Sequence, residues 1–356
     1  MAKRSTAMRP IAEAEVVVGM DVGDIWSEVC MMDGSGEVLH EARVGTREVA
    51  LRKYFEGLAP GRVVLEAGGQ SPWIQRLLKG LGHDAIVVNP HRVRLIAESL
   101  VKDDRRDAVL LADLGRMAPL ALYRVEHRSA QEQVDLAVLR ARALVVKQRS
   151  MNILHVRGVV KACGGRLVGC TVERFSQLAA PQIGAELRSA LFPLLGLISE
   201  QTKLIRGYDV QVAELIGQRY PEAQAMQQIC GVGPITALHF RLSIGDPGRF
   251  SRSRQVGPYF GLVPARRQSG GRDPGLGITK SGDAEVRHLL VQCAQYIVSH
   301  PKAESALRVW GMKKAEGGRR ARQRAVVGVA RRLAVLMHHL WVSGEVYERF
   351  PGREVA

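Results

Sequence analysis

Val16-Val17-Val18-Gly19-Met20 runs directly into Asp21-Val22-Gly23, and the reading of this stretch decides the fold. An apolar run without polar alternation predicts a strand covered on both faces, which requires layers above and below it. Downstream, residues 28–32 form a second apolar run that leads into Asp33-Gly34-Ser35-Gly36, a tight-turn signal. Residues 37–44 then complete a hairpin or three-strand meander. Helical sequence over 48–58 precedes Val63-Val64-Leu65-Glu66, another buried strand, which ends in Ala67-Gly68-Gly69. A helix over 73–81 and a strand over 85–88 follow, closed by Asn89-Pro90, and residues 92–117 are helical in pattern.

The order strand, strand, strand, helix, strand, helix, strand, helix predicts a mixed sheet with helices packed on it. Ribonuclease-H-like domains and actin-like ATPase domains share this order. Beyond it, residues 129–158 and 184–220 form two long helical stretches, read as an antiparallel pair joined by a loop around Gly164-Gly165 and Pro181. Such a pair is either a dimerisation or spacing arm or a plain helical linker. Ile229-Cys230-Gly231-Val232-Gly233-Pro234-Ile235-Thr236-Ala237 reads as a helix-hairpin-helix turn or an ordinary helical corner, and helical sequence fills most of 285–347. The organisation is a flexible tail (1–15), an α/β domain (16–127), a helical arm (128–220) and a mainly helical C-terminal domain (221–356).

The chain has 51 Lys and Arg against 35 Asp and Glu, a net charge of +16, which favours a polyanionic partner over a neutral metabolite. Its five scattered cysteines contain no Cys-x-x-Cys pair, so neither a zinc site nor a disulfide framework is indicated, and a reducing cytoplasm fits. The first fifteen residues lack a signal-peptide pattern, and no long uninterrupted apolar run predicts a membrane span.

Asp21 and Glu66 fall at the ends of two buried strands, where open α/β sheets bind ligands. A third acidic group lies in Lys102-Asp103-Asp104-Arg105-Arg106-Asp107-Ala108. Asp104 and Asp107 share a helix face at a spacing of three, and Asp103 and Asp107 share one at a spacing of four. Spacing leaves both pairs open. Clustered carboxylates repel unless a cation neutralises them, and Mg²⁺ takes oxygen ligands of this kind.

In the C-terminal half, Arg266-Arg267-Gln268-Ser269-Gly270-Gly271-Arg272 sets one serine among arginines and glycines. Arginines hold phosphate and glycines let it approach the backbone; a serine there can attack phosphorus and conserve the bond energy for rejoining. Seven arginines and one acid lie between Arg241 and Arg272, and eight Lys or Arg and one acid between Lys313 and Arg332. Arg266, Arg267, Arg272, Lys280, Arg319, Arg320, Arg322 and Arg324 are the candidate nucleic-acid contacts in these runs.

Taken in order, these segments resemble the DEDD-type bacterial insertion-sequence transposases of the insertion-sequence one-ten family, which includes the Piv DNA invertases. The resemblance rests on Val18-Gly19-Met20-Asp21-Val22-Gly23, Leu65-Glu66-Ala67, Val88-Asn89-Pro90 and residues 102–108. In the C-terminal half it rests on Gly231-Val232-Gly233-Pro234, Gly261-Leu262-Val263-Pro264, Gln268-Ser269-Gly270-Gly271 and Ile278-Thr279-Lys280-Ser281-Gly282. It implies a RuvC-like, ribonuclease-H-fold N-terminal domain whose Asp21, Glu66, Asp104 and Asp107 bind Mg²⁺. It also implies that Ser269 is the nucleophile that becomes linked to a DNA 5′ phosphate. The resemblance further implies a homo-oligomer whose subunits share sites, and a structured guide RNA in some members. Asp103, Gln268 and Asp24 depart from the family pattern, and Asp103 adds an acid beside the tetrad. Three other classes remain: a nuclease of the same fold that cuts without rejoining, an actin-like ATPase, and a catalytically inert nucleic-acid-binding protein. The ATPase would need a second Asp-x-Gly loop and a Gly-rich adenosine site, neither of which is convincing in the sequence.

Overall fold

The computed structural model describes residues 16–89, 104–117, 124–266 and 276–351. The chain divides into two compact units, residues 1–130 and 131–356.

The first unit is built on a five-stranded sheet of order β3-β2-β1-β4-β5. Its strands are β1 (Val17–Val22), β2 (Trp26–Met32), β3 (Val38–Gly45), β4 (Arg62–Glu66) and β5 (Asp84–Val88). The first three form an antiparallel meander, whereas β4 and β5 join β1 in parallel. The β2–β3 turn closes on the Asp33 carboxylate, which accepts from the amides of Ser35, Gly36 and Glu37, each at 2.9 Å. Helices α1 (Glu48–Glu56) and α2 (Ser71–Gly80) supply Leu51, Phe55, Ile74 and Leu78, which pack on Val18, Met20, Val63 and Leu65. The opposite face carries α3 (Asp104–Met117), whose Leu111 packs on Val17, Val64 and Ile86. Ala108 and Ala112 of α3 pack on Cys30 and Met32. The central strand is thus covered on both faces, as its uninterrupted apolar run requires. This is the ribonuclease-H arrangement expected from the sequence, of the RuvC-like class. Residues 92–103, also read as helical, lie outside the described residues.

Gly19 sets the distance between α3 and β1. A Cβ there would land within the Ala108 carbonyl and the Ala112 amide. Glycine in β1, together with Ala108, Ala112 and Gly115 on α3, therefore permits an approach that larger residues forbid.

The second unit is helical. Helices α4 (Ala130–Ala162) and α6 (Arg188–Arg219) run antiparallel. Their side chains pair in one falling series: Asp135 with Arg219 at 2.9 Å, Arg142 with Asp209 at 2.6 Å, and Arg149 with Thr202 at 3.2 Å. Taken together with these polar residues, buried Leu139, Ile153 and Val156 on α4 and Ile198, Ile205 and Val212 on α6 complete a seam of three- and four-residue steps, a coiled-coil pattern. The connection between them is not the simple loop the glycines suggest. It contains α5 (Phe175–Ala179), and Leu167, Phe175 and Ile183 join Val156, Val160 and Leu191 in a small core. Apolar residues between the glycines and Pro181 give this segment something to bury.

The larger core gathers α8 (Pro234–Ile244), α10 (Ala284–Ser299) and α12 (Arg319–Ser343). Between them in sequence lie the short α9 (Val256–Tyr259) and α11 (Ala306–Ala315), and α7 (Pro221–Met226) precedes α8. The C-terminal helical sequence is thus three helices broken at 300–305 and 316–318. Helix α12 is long and apolar enough by composition to cross a membrane, but its Val329, Leu333 and Met337 belong to this core.

Asp135 is nearly enclosed at the base of the arm. Burial alone would raise its carboxyl, but hydrogen bonds from Tyr220, Gln131 and Arg219 outweigh that and hold it below the usual carboxylate range. A lowered carboxyl stabilises the folded state above its unfolded pKa, near 4, and that contribution is lost as the pH falls through the folded value. Asp135→Asn is expected to cost about 2 kcal/mol at neutral pH. The gap between the two proteins in urea midpoint should close as the pH drops below 4. A gap independent of pH would mean that packing, not charge, is lost. In the first unit, Gly19→Ala is expected to cost about 2–3 kcal/mol through overpacking, read in the same urea titration.

Candidate active site

Asp21 sits at the end of β1 and Glu66 at the end of β4. The parallel register pairs Met20 with Leu65, so the next residues, Asp21 and Glu66, are neighbours on one face of the sheet. That face carries α3, since Val17 and Val64, which alternate with Met20 and Leu65, pack on Leu111. Asp104 and Asp107 occupy the first turn of α3. The close approach over Gly19 brings this turn to the same sheet end. Carboxylate oxygens of Asp21, Asp104 and Asp107 all lie within 4.8 Å of one another. Burial raises the Glu66 carboxyl above its ordinary value, and the charge of Asp107 raises it further. Glu66 therefore feels the cluster electrostatically.

This donor set fits a hard divalent cation. It offers oxygen ligands alone, at a separation that one or two ions would bridge, and its charges repel in their absence. The helix N-terminus offsets part of that repulsion, because first-turn acids meet the positive end of the helix dipole. Asp103 lies outside the described residues; among the described ones, Asp104 and Asp107 are the acids of α3 that meet Asp21.

Sequence reasoning missed the neighbour on the other side of Asp21. Glu28 is directly opposite it across β1 and β2, and Arg43 is opposite Glu28 across β2 and β3. The two form an ion pair at 3.2 Å. Strict alternation in Trp26-x-Glu28-x-Cys30 was the available signal, since it places Glu28 on the face of Cys30, which packs under α3.

Ser269 lies outside the described residues, as do Arg267, Gln268 and Arg272. The described residues on either side of 267–275 come together. Pro264 and Ile278 form an antiparallel bridge, the Ala265 amide donates to Gly277 at 2.8 Å, and the Thr279 amide donates to Val263 at 2.9 Å. Arg266 is exposed here. Lys280, also exposed, holds a left-handed backbone with φ of 56°, which non-glycine residues adopt at a cost. Arg287 braces the turn by donating to the Phe260 carbonyl at 3.2 Å and the Ser281 carbonyl at 2.7 Å. The glycine-rich corner between α7 and α8 turns at Gly231, with φ of 93°. Arg319, Arg320, Arg322 and Arg324 are all exposed on the first turns of α12.

The basic run beginning at Arg241 is not all surface. Arg241 is ion-paired with Glu132 and Glu222 and lies 5.2 Å over the Tyr220 ring. Arg249 donates to the Ile244 carbonyl at 3.3 Å and sits 5.1 Å over Tyr259. Neither cysteine that burial perturbs is a candidate nucleophile. Burial raises both thiols, with Cys30, beside Glu41 and Asp113, reaching about 11.

A ribonuclease-H sheet whose end gathers acids from β1, β4 and the first turn of α3 defines the DEDD class of transposase catalytic domain. A DEDD-type transposase family model matches residues 18–163, and a model described as "Transposase IS116/IS110/IS902 family" matches residues 223–309. The chain belongs to the IS110 family of insertion-sequence transposases. It is 29% identical to the transposase for insertion sequence element IS1111A of Coxiella burnetii, over 97% of this chain and 93% of that protein. It is 25% identical to the transposase for insertion sequence element IS1328 of Yersinia enterocolitica, over 81% of this chain and 86% of that one. It is also 25% identical to the pilin gene-inverting protein of Moraxella bovis, over 72% of each chain.

Removing one like charge from the cluster has opposite effects with and without a cation. In EDTA, Asp107→Asn is expected to melt at the same temperature as the parent chain or higher. On adding Mg²⁺ or Mn²⁺ the parent should gain several degrees and the variant little. An equal gain in the variant would remove Asp107 from the cation site.

Proposed function

We propose that this transposase cuts and rejoins DNA through a covalent serine–phosphate intermediate, with Asp21, Glu66, Asp104 and Asp107 holding Mg²⁺. The observation that carries this reading is the convergence of Asp21, Asp104 and Asp107 at one sheet end, with Glu66 beside them. Bound there, the cation would neutralise charge on the scissile phosphate and polarise it. The four carboxylates would hold it, and the dense packing under α3 keeps them in place.

Ser269 Oγ attacks the phosphorus, a P–Oγ bond forms and the P–O3′ bond breaks. The serine proton is lost and the departing 3′ oxygen gains one, so the DNA 5′ phosphate is left on the serine. Rejoining reverses this with a different 3′ hydroxyl, using the energy kept in the phosphoserine bond. Arg266, Arg267 and Arg272 offset charge on the five-coordinate phosphorus. Lys280 and the arginines of α12 contact the nucleic-acid backbone, which makes binding fall as salt rises.

The protein acts as a homo-oligomer, and Leu144, Met151 and Leu154 on α4 and Leu197 and Leu204 on α6, all exposed, leave apolar surface on the arm for a second copy to cover. A structured RNA from the element guides target choice, and the exposed arginines of α12 suit its backbone as well as that of DNA.

In cells carrying the gene with its native flanks, the junction of the element's joined ends should amplify with the natural chain. It should vanish with Ser269→Ala and with Asp21→Asn at equal protein level. Junctions that persist with Ser269→Ala would overturn the serine intermediate and leave strand transfer to the carboxylates.

A further inference from the structure

Trp26 opens β2 at the tip of the β1–β2 hairpin, at the same sheet end as Asp21. The antiparallel register pairs Asp21 with Glu28, which makes Trp26 its diagonal neighbour on the same face, a separation of about 7–8 Å between backbones. The chain has four tryptophans, all among the described residues, and Trp26 is the most exposed of them. Its residue is 47% exposed, and Ile25 beside it is 63% exposed. Two large apolar side chains are thus held in water next to a cluster of acids, an arrangement that costs free energy unless something covers them.

The surroundings of Trp26 are organised rather than loose. Opposite it stands Gly45, whose position lies close beside the ring: an added Cβ would meet the indole Cζ3 in ordinary contact at 3.7 Å. The Arg43 guanidinium lies 5.5 Å from the indole centroid while paired with Glu28, and its side chain is 63% exposed. The hairpin tip is tied to the loop that follows Glu66. Gln70 Nε2 donates to the Gly23 carbonyl at 3.3 Å and the Asp24 carbonyl at 3.1 Å. The platform and two of the site's acids, Asp21 and Glu66, are therefore parts of one braced sheet end.

An exposed indole, flanked by a solvent-facing arginine and adjacent to carboxylates that act on a phosphodiester, matches one ligand chemistry. A nucleobase stacks on the ring while the neighbouring phosphate meets the guanidinium. We propose that Trp26 is a stacking platform for the DNA base next to the scissile phosphate, with Arg43 contacting the adjoining phosphate. The proposal rests on reading the carboxylate cluster as the strand-cutting site. Stacking tolerates any base, so the platform positions the strand without choosing its sequence. It also helps hold the duplex locally open, because a base stacked on protein is not stacked on its neighbour.

The test uses full-length protein carrying Ser269→Ala, so that DNA stays uncut, with Ca²⁺ and element-end DNA containing 2-aminopurine on either side of the joined position. With Trp26 present, one of the two positions should change its fluorescence on binding. Trp26→Ala should abolish that change, Trp26→Phe should keep part of it, and Arg43→Ala should keep the signal at weaker affinity.

In the catalytically intact chain, Trp26→Ala should lower junction formation roughly tenfold, with Trp26→Phe recovering much of it. Melting temperatures equal to the parent's would exclude a folding defect. An unchanged fluorescence response and junction yield in Trp26→Ala would overturn the platform while leaving strand exchange intact. Loss of RNA binding with an unchanged DNA signal would overturn it too, by giving the indole to RNA, as would a change in oligomeric state alone. Absence of junctions in the parent chain would instead defeat the strand-exchange reading on which the platform rests.

Discussion

The contact of α3 with β1 over Gly19 is the constraint on which the first unit depends. A helix normally stands off a sheet by the length of the side chains between them. Here the interface is made of Gly19, Ala108, Ala112 and Gly115, and the helix backbone lies almost on the strand. Two consequences follow. The helix is fixed in translation, because small residues lock only where they coincide. Its first turn is fixed over the end of β1 as well, so two acids of the helix meet one from β1 while Glu66 comes up on β4. Apolar packing at the middle of α3 thus sets the geometry of charged groups at its end.

That geometry is electrostatically unfavourable by itself. Asp21, Asp104 and Asp107 crowd one another, and Glu66 is driven toward its protonated form by burial and by Asp107. The α3 dipole offsets part of this, and Arg43 neutralises Glu28 next door. Carboxylates this close create a demand for positive charge at the sheet end. A cation satisfies it, and the rigid sheet below converts the repulsion into affinity instead of letting the side chains swing apart.

Most of the first unit was legible because its signals are local. The uninterrupted run before Asp21, the Asp33-Gly34-Ser35-Gly36 turn and the strand ending at Glu66 each carry their own periodicity or turn chemistry. The meeting of Asp21 with Asp104 and Asp107 was legible only as a possibility, since it depends on register between β1 and β4 and on how closely α3 sits. Neither quantity is written in any one segment. Glu28 and Trp26 went unread for a related reason: as single residues in a half-buried strand they look like ordinary alternation, and only the register places them beside Asp21. In the second unit, helical sequence announced the two long helices but not the small core that Phe175 and Leu167 build between them.

Charge was the least reliable of the sequence signals, and the second unit shows why. An arginine-rich stretch reads the same whether its guanidinium groups face phosphate or protein. Arg142, Arg149, Arg219 and Arg241 are held by Asp209, Thr202, Asp135 and the pair Glu132 and Glu222. Three of these four lie in the seam of the arm. Polar layers in an otherwise apolar seam add little net stability, because each buried charge gives up its hydration. They do penalise sliding of α4 past α6, since a shift of one turn would leave the buried members, Asp135 and Arg149, without their partners. The positive charge of the chain therefore has two separate jobs. Inside, it fixes the length and register of the arm. Outside, on the first turns of α12 and at Arg266 and Lys280, it remains available to a polyanion, and only this second set should govern how binding responds to salt.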